Sequence, residues 1–293
     1  MQQQHSICDF AGSDSWVILS EIEQSIKRKI EAVGTPLKDW DIQINYGIKT
    51  GYNDAFIIST EKRDEILANC ATDEERQRTV ELIRPILRGR DIKRYGYEWA
   101  NLWLIATFPS RNYDIDEYPS VRDYLLTFGI EKLEQTGRTH IVNGETIKAR
   151  KKTNNKWFET QDSISYWDDF SKPKIVWGNL NLKASFAILP DDSFVNAPSP
   201  IIVPASKYLL GMLNSKIADY YIRNLGVTRN GGYFEYKPMF VEQLPVPFIS
   251  EFSSLIEELV EQKNEKRIDE IAYKIYGLTY EEIAYVESKE IMY

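Results

Sequence analysis

A chain of 293 residues with 43% hydrophobic and 27% charged residues has the composition of a globular protein, long enough for one large domain or a domain with helical appendages. Its net charge of −8 argues against a protein that coats nucleic acid indiscriminately, while leaving room for a local basic face. Only Cys8 and Cys70 occur, in no metal or redox spacing, and no leader-like or bilayer-length apolar run is present, so the expected setting is a reduced cytoplasm with no membrane role.

Residues 1–14 lack periodicity and read as a fraying end or a linker. Ser13 or Asp14 would cap a helix in which Ile18, Ile22, Ile26 and Ile30 recur every four residues, ending near Gly34 and Pro36. Ile42, Ile44, Tyr46 and Ile48 then alternate with polar neighbours, the period of a half-buried strand, and residues 55–58 form a second short apolar run. Between them Thr50-Gly51-Tyr52-Asn53 reads as a tight connection, because Gly51 takes a positive φ without a Cβ penalty and Asn53 tolerates one. Lys49, the Thr50 hydroxyl and the amides around Gly51 and Tyr52 would then point the same way. That is the local chemistry of a phosphate contact; the plain alternative is a glycine hairpin.

Thr72 and Glu75 form a capping box opening a helix that Pro85 ends, with Arg76, Arg78 and Arg84 on its solvated face. Residues 86–87 and 102–107 read as strands on either side of the Arg88-Gly89-Arg90-Asp91 turn, where Arg88 and Arg90 either grip phosphate or pair with Asp91. Pro119 and Ser120 start a helix running to about residue 135, with Val121, Tyr124, Leu125, Phe128 and Leu133 as core positions. From 136 to 157 the pattern breaks down. Asn143-Gly144 signals a hairpin, and Arg138, Lys148, Arg150, Lys151, Lys152 and Lys156 stand against one acid, Glu145. With Asn154 and Asn155, this loop carries the side-chain types used on base edges: Arg and Lys for guanine, Asn for adenine, Thr for methyls. A solvated, mobile loop is the alternative.

Residues 174–177 read as a strand, after which Asn179, Asn181 and Lys183 would share one face of an extended segment as further base-contact candidates. Residues 184–189 read as a buried strand. Residues 206–223 read as one helix burying Tyr208, Leu209, Met212, Leu213, Ile217 and Tyr221. The turn Arg229-Asn230-Gly231-Gly232 is able to bring Arg229 and Asn230 to a groove, and residues 244–247 form an extended exit. Helices over 251–265, 267–275 and 279–288 make a Glu-rich tail expected to pack on the first helix or a neighbouring domain.

Taken in order, residues 34–58 (GTPLKDWDIQINYGIKTGYNDAFII), 86–95 (ILRGRDIKRY), Tyr118-Pro119 with the helix after it, 174–177 (KIVW), 208–215 (YLLGMLNS) and 231–247 (GGYFEYKPMFVEQLPVP) resemble the C-terminal specificity domain of TaqI-like adenine DNA methyltransferases and type IIG restriction–modification enzymes. The order of these motifs carries the resemblance, which runs from about residue 16 to the C-terminus. It implies an α+β fold: a target-recognition domain with a mixed β-sheet over residues 41–248, an N-terminal linker and spacer helix in 1–40, and a C-terminal helical tail in 249–293. It implies double-stranded DNA as a partner, together with the N-terminal methyltransferase domain of a longer parent chain. In that parent it implies N6-adenine methylation from S-adenosylmethionine, with a fused Mg-dependent endonuclease left open. No glycine-rich cofactor loop follows a strand and no NPPY-type sequence is present, so this piece is expected to select the site with no catalytic residue, cofactor or metal of its own.

Two other classes stand beside this one. Glu235-Tyr236-Lys237 with Pro190-Asp191 upstream imitates the acid–acid–lysine set of magnesium-dependent nucleases, but such triplets arise by chance over so long a spacing. Seven Trp and eighteen Tyr suggest an aromatic-lined carbohydrate groove, without the strand-dominated spacing or export signal such proteins usually show. His5 and His140 lie in no triad context, and no cluster has zinc spacing.

Overall fold

The run Lys174–Trp177 is buried at all four positions and lies inside an antiparallel sheet ordered Phe186–Leu189, Lys174–Trp177, Pro200–Val203, Gln43–Tyr46. A strand covered on both faces has no wet side, which is why this stretch reads as a continuous run without alternation. The Lys174 ammonium is enclosed with it and donates to the Pro190 carbonyl at 2.8 Å. Burial pushes it down to about 8 against the opposing pull of Asp191 and Asp192.

The structure, a computed structural model, describes residues 19–226 and 228–290. The aperiodic stretch 1–14 with His5 and Cys8, the expected caps Ser13 and Asp14, Ile18 and Val227 lie outside the described residues. Within them the chain forms two compact units: Gln43–Asn179 with Ser185–Ala205, and residues 19–42 with Leu180–Ala184 and residues 206–290.

The first of these units holds a second four-stranded sheet. Phe194–Val195 runs parallel to Ile83–Leu87, which pairs antiparallel with Leu102–Ile105, itself antiparallel to Ile57–Ser59. Leu104 and Ile105 are both fully buried, yet as neighbours on a strand they face opposite ways. Leu104 packs with Ile48, Val176, Val195 and Ile201 in a core shared by the two sheets; Ile105 packs with Phe56, Leu82, Val121 and Leu125 under helical cover. The sequence pattern places the end of the preceding helix at Pro85. That helix, Asp73–Leu82, stops earlier, and Pro85 sits inside the strand at the residue where pairing with Leu102–Ile105 ends, one before pairing with Phe194–Val195 begins at Ile86. A missing N–H is tolerated at such a changeover.

The other unit is helical: Glu21–Val33, Lys207–Asn214, Lys216–Leu225, Ser250–Glu261, Glu265–Ile275 and Tyr280–Glu290, with short pairings of Thr35–Pro36 to Pro245–Val246 and Leu180–Asn181 to Phe234–Glu235. The first helix starts at Glu21 on a Ser20–Glu23 capping box, later than a cap at Ser13 or Asp14 would place it, and buries Ile26 and Ile30. The expected single helix over 206–223 is two, because Ser215 is extended; its hydroxyl donates to the Met212 carbonyl at 2.6 Å and accepts from the Ala218 amide. The expected helix to residue 135 is likewise broken, at Gly129 with φ 83°. Gly211 marks a close helix–helix approach, since a Cβ there would lie 2.7 Å from Ile256 Cγ2. The fold is α+β, and among the described residues no helix is long and apolar enough to cross a membrane.

Candidate nucleic-acid interface

The chain turns sharply after Ile48, whose amide and carbonyl are held by Val195 and Ala197 while the amide of the intervening Asn196 bonds the Leu87 carbonyl. Residues 195–197 therefore bind the segment leading into Lys49 on one side and the segment leading into Arg88 on the other, so the two glycine turns lie at the same end of this unit. Gly47 and Gly89 both close on Ser199: a Cβ would lie 2.7 Å from its carbonyl oxygen at the first and 2.9 Å from its Oγ at the second.

In the first turn Gly51 has φ 79°, as its sequence position suggested, but the turn does not join two paired strands. Asn53–Phe56 is one helical turn and only Ile57–Ser59 is strand, paired to Leu102–Ile105 and not back to Gln43–Tyr46. Thr50 is fully buried; its hydroxyl donates to Asn53 Oδ1 at 2.7 Å and accepts from the Tyr52 amide at 3.1 Å. The expectation that this hydroxyl faces a phosphate is corrected: it builds the turn. Tyr52 is half-buried, edge-on to Phe128 with Lys132 over its ring. Lys49 and Gly51 remain exposed on the rim of a shallow hollow of about 380 Å³ that Asn53, Asp54, Asn196 and Ala197 also line.

In the second turn Arg88 pairs with Asp91 and is not free to grip phosphate. It makes a two-pronged bond, Nε to Oδ2 at 2.9 Å and Nη2 to Oδ1 at 2.7 Å, and Asp91 also accepts the Arg88 amide. Although burial works the other way, these bonds hold the Asp91 carboxyl below its ordinary range. Arg88 is thus a structural partner, and Arg90 is the exposed cation of this turn.

Arg150 is the largest correction in the basic stretch. It is 4% exposed, and its guanidinium donates to four main-chain carbonyls: Leu133 at 2.7 Å, Thr50 at 2.9 Å, Glu159 at 2.8 Å and Trp157 at 2.6 Å. Burial pushes it down to about 10 despite the charge of Glu159. A guanidinium so engaged cannot reach a base; it ties the Lys49–Gly51 turn to the root of the basic loop. Asn155 is corrected on the same ground, since its side-chain nitrogen donates to the carbonyls of Thr160 and Gln161. Arg138, Lys148, Lys151, Lys152, Asn154 and Lys156 are exposed, and Thr139–Val142 and Glu145–Lys148 form the expected hairpin with Asn143 and Gly144 at positive φ.

The remaining candidates are dispersed. Asn179 belongs to the sheet unit, with its Oδ1 buried and lacking a hydrogen-bond partner among the described residues. Asn181 and Lys183 belong to the helical unit, where the strand Leu180–Asn181 ends at Asn181 and Lys183 lies in a bend beyond it. Arg229 donates to Glu235 at 2.6 Å, and Lys237 holds the other oxygen of that carboxylate at 2.7 Å; Asn230 beside them is exposed. Those two cations keep the buried Glu235 ionised and occupied, so it is no open metal ligand. Trp177, Tyr208, Tyr236 and Tyr276 are core residues and belong to no sugar-binding face.

Residues 84–246, from the strand that leads into the Arg88 turn to the last short pairing of the helical unit, match the TaqI-like C-terminal specificity domain. The chain belongs to this family. The family match takes in the Arg88–Arg90 turn, the basic hairpin and loop, Asn179 to Lys183 and Arg229–Asn230, and it begins after the Lys49 turn. Among curated relatives, the chain is 23% identical over 293 residues to the type II methyltransferase M.BstVI of Geobacillus stearothermophilus, covering 95% of this chain and 47% of that protein. It is 20% identical over 281 residues to the type II methyltransferase M.PaeR7I of Pseudomonas aeruginosa, covering 92% and 44%. The chain thus spans under half the length of these relatives. The same fold occurs in the type IIL restriction–modification enzyme MmeI, solved in complex with DNA (TM-score 0.57, 12% identity, 87% of this chain and 36% of that one), and in the type IIG restriction endonuclease BpuSI (TM-score 0.56, 13% identity, 92% and 32%). Within the family fold, sequence reasoning missed Asn196 and Ala197, which line the Lys49 hollow; their only signal is a Pro-rich turn after an apolar strand.

Proposed function

We propose that this chain is the sequence-selecting module of a restriction–modification enzyme, acting on double-stranded DNA. The observation that carries the reading is the Arg150 clamp inside a specificity-domain fold: it fixes an exposed Lys49–Gly51 turn, suited to a phosphate, against the root of a loop whose exposed side chains suit base edges. Lys49, Gly51, Tyr52 and Arg90 set the register on the backbone. Arg138, Lys148, Lys151, Lys152, Asn154 and Lys156 test bases, with Asn179, Asn181, Lys183, Arg229 and Asn230 as a second group. Thr50, Arg88, Arg150 and Asn155 hold these groups in place.

In the parent enzyme, methyl transfer to adenine N6 from S-adenosylmethionine belongs to an N-terminal methyltransferase domain, and any Mg-dependent cleavage to a fused nuclease. This chain contributes site selection, in the cytoplasm of a bacterium or archaeon. The test is selection from a library of random-core duplexes by the 293-residue chain at low salt. One defined sequence should enrich over successive rounds. A pool that stays random while the protein remains folded would overturn the assignment.

A further inference from the structure

The hairpin Thr139–Val142/Glu145–Lys148 has one outward face. In its register Thr139 stands opposite Lys148 and Ile141 opposite Thr146, and directly opposed residues on an antiparallel pair project from the same side. All four are exposed, whereas on the reverse side His140, Val142 and Ile147 are half-buried and Glu145, beside the turn, is exposed. Ile141 is 79% exposed, more than any other Ile, Leu or Val among the described exposed apolar residues. At the tip, a Cβ on Gly144 would meet nothing within 4 Å among the described residues. An apolar, β-branched side chain held in water on a free ribbon gains nothing for the fold.

We infer that this face enters the DNA major groove and that Ile141 reads the 5-methyl group of a thymine. A two-stranded ribbon fits that groove, and four residues rising about 3.4 Å each reach beyond its depth of about 8.5 Å. The thymine methyl is the one apolar feature on the groove floor, so an exposed branched aliphatic side chain flanked by two Thr methyl groups matches it. The surroundings fix the occupant. Lys148 lies on the same face, Arg138 precedes the hairpin and Lys151 and Lys152 come after it, all exposed, so the apolar spot is framed by cations suited to the phosphates of a duplex and not to an apolar protein partner. The inference rests on the proposed DNA-selecting role and adds the specificity-determining residue and the base feature it reads.

The experiment uses the full chain and the duplex that random selection yields. Each thymine in that duplex is replaced singly by deoxyuridine, which removes the methyl and leaves the pairing edge intact, and affinities are measured for wild type and for Ile141→Ser. At one thymine or more the wild type should bind the deoxyuridine duplex about fourfold more weakly, the equivalent of one methyl group returned to water. Ile141→Ser should bind the parent duplex more weakly by a similar factor and show no further loss at that position. Because Ile141 is exposed, the variant should unfold at the wild-type urea midpoint. A selected site without thymine, or equal deoxyuridine penalties for both proteins at every position, overturns the inference while leaving DNA selection standing. Failure to select any sequence removes the underlying reading instead.

Discussion

Arg150 shows how one side chain can belong to a basic run and still have nothing to do with the ligand directly. Its guanidinium offers five N–H donors in a rigid fork, and four carbonyls from three separate stretches of chain converge on it. Replacement by Met would leave the Leu133, Thr50 and Trp157 carbonyls without this donor, at about 1–3 kcal/mol each and partly relieved by relaxation, while the Glu159 carbonyl keeps the Gln135 side-chain amide, so Arg150→Met should lower stability by about 3 kcal/mol in urea unfolding. Arg150→Lys keeps the charge but offers three donors without the planar fork, and should fall between the two. A Met variant as stable as wild type would mean that the clamp does not hold the fold. Sequence could not distinguish Arg150 from Lys151 and Lys152, because what buries it is supplied from elsewhere: the Thr50 carbonyl is 100 residues away. Thr50 and Asn155 are engaged by near neighbours instead, the Thr50 hydroxyl by Asn53 Oδ1 and the Tyr52 amide and the Asn155 side-chain nitrogen by the carbonyls of Thr160 and Gln161, contacts that have no signature in composition.

Helices and strands were more legible than their ends. The hairpin at Asn143-Gly144 and the strand Lys174–Trp177 follow from turn chemistry and apolar runs, which are local. The breaks at Ser215 and Gly129 were hidden because the helices on either side bury similar apolar residues, so the pattern runs on through the kink. At the C-terminal helix Tyr280–Glu290 a local signal does double service. Glu282 accepts the Thr279 amide at 2.7 Å in a capping box, and its oxygens also take Ser25 Oγ at 2.7 Å and Lys29 Nζ at 2.6 Å from Glu21–Val33. Burial alone would raise this carboxyl; the Lys29, Thr279 and Ser25 hydrogen bonds outweigh it and lower it to about 2. The folded value lies below the unfolded value of about 4.3, so between them the unfolded chain holds more protons and stability falls as the pH drops. Glu282→Gln should therefore cost about 1–3 kcal/mol at neutral pH, and the gap to wild type should close as the pH falls from about 4.3 toward 2. A gap that persists unchanged at the acid end would mean that the charge of Glu282 does not fasten this helix.

Across the whole molecule the order of family motifs was readable, since each is a short stretch with its own local chemistry, whereas the weaving of the chain between units was not: Leu180–Ala184 leaves one unit and Ser185 rejoins it. Charge at this scale decides what a binding experiment can resolve. With a net charge of −8, the chain has little general attraction for DNA, so the salt dependence of binding should come from the few cations that meet phosphates. Lys49→Ala should then weaken cognate and scrambled duplexes by the same factor and reduce the slope of log K against log salt by about 0.9, the share of one phosphate contact. Lys151→Ala or Asn154→Ala should instead cost about 1–3 kcal/mol on the cognate duplex and little on the scrambled one. Both measurements belong at low salt, where a few phosphate contacts still give measurable binding, and the ratio of affinities is more informative than either value. If Lys49→Ala changes that ratio while leaving the slope intact, the glycine turn reads bases and its phosphate role is lost. If no substitution among the exposed residues of 138–156 moves the ratio, the basic loop is solvated surface, and selection must rest on the Arg229–Asn230 turn or on Asn179, Asn181 and Lys183.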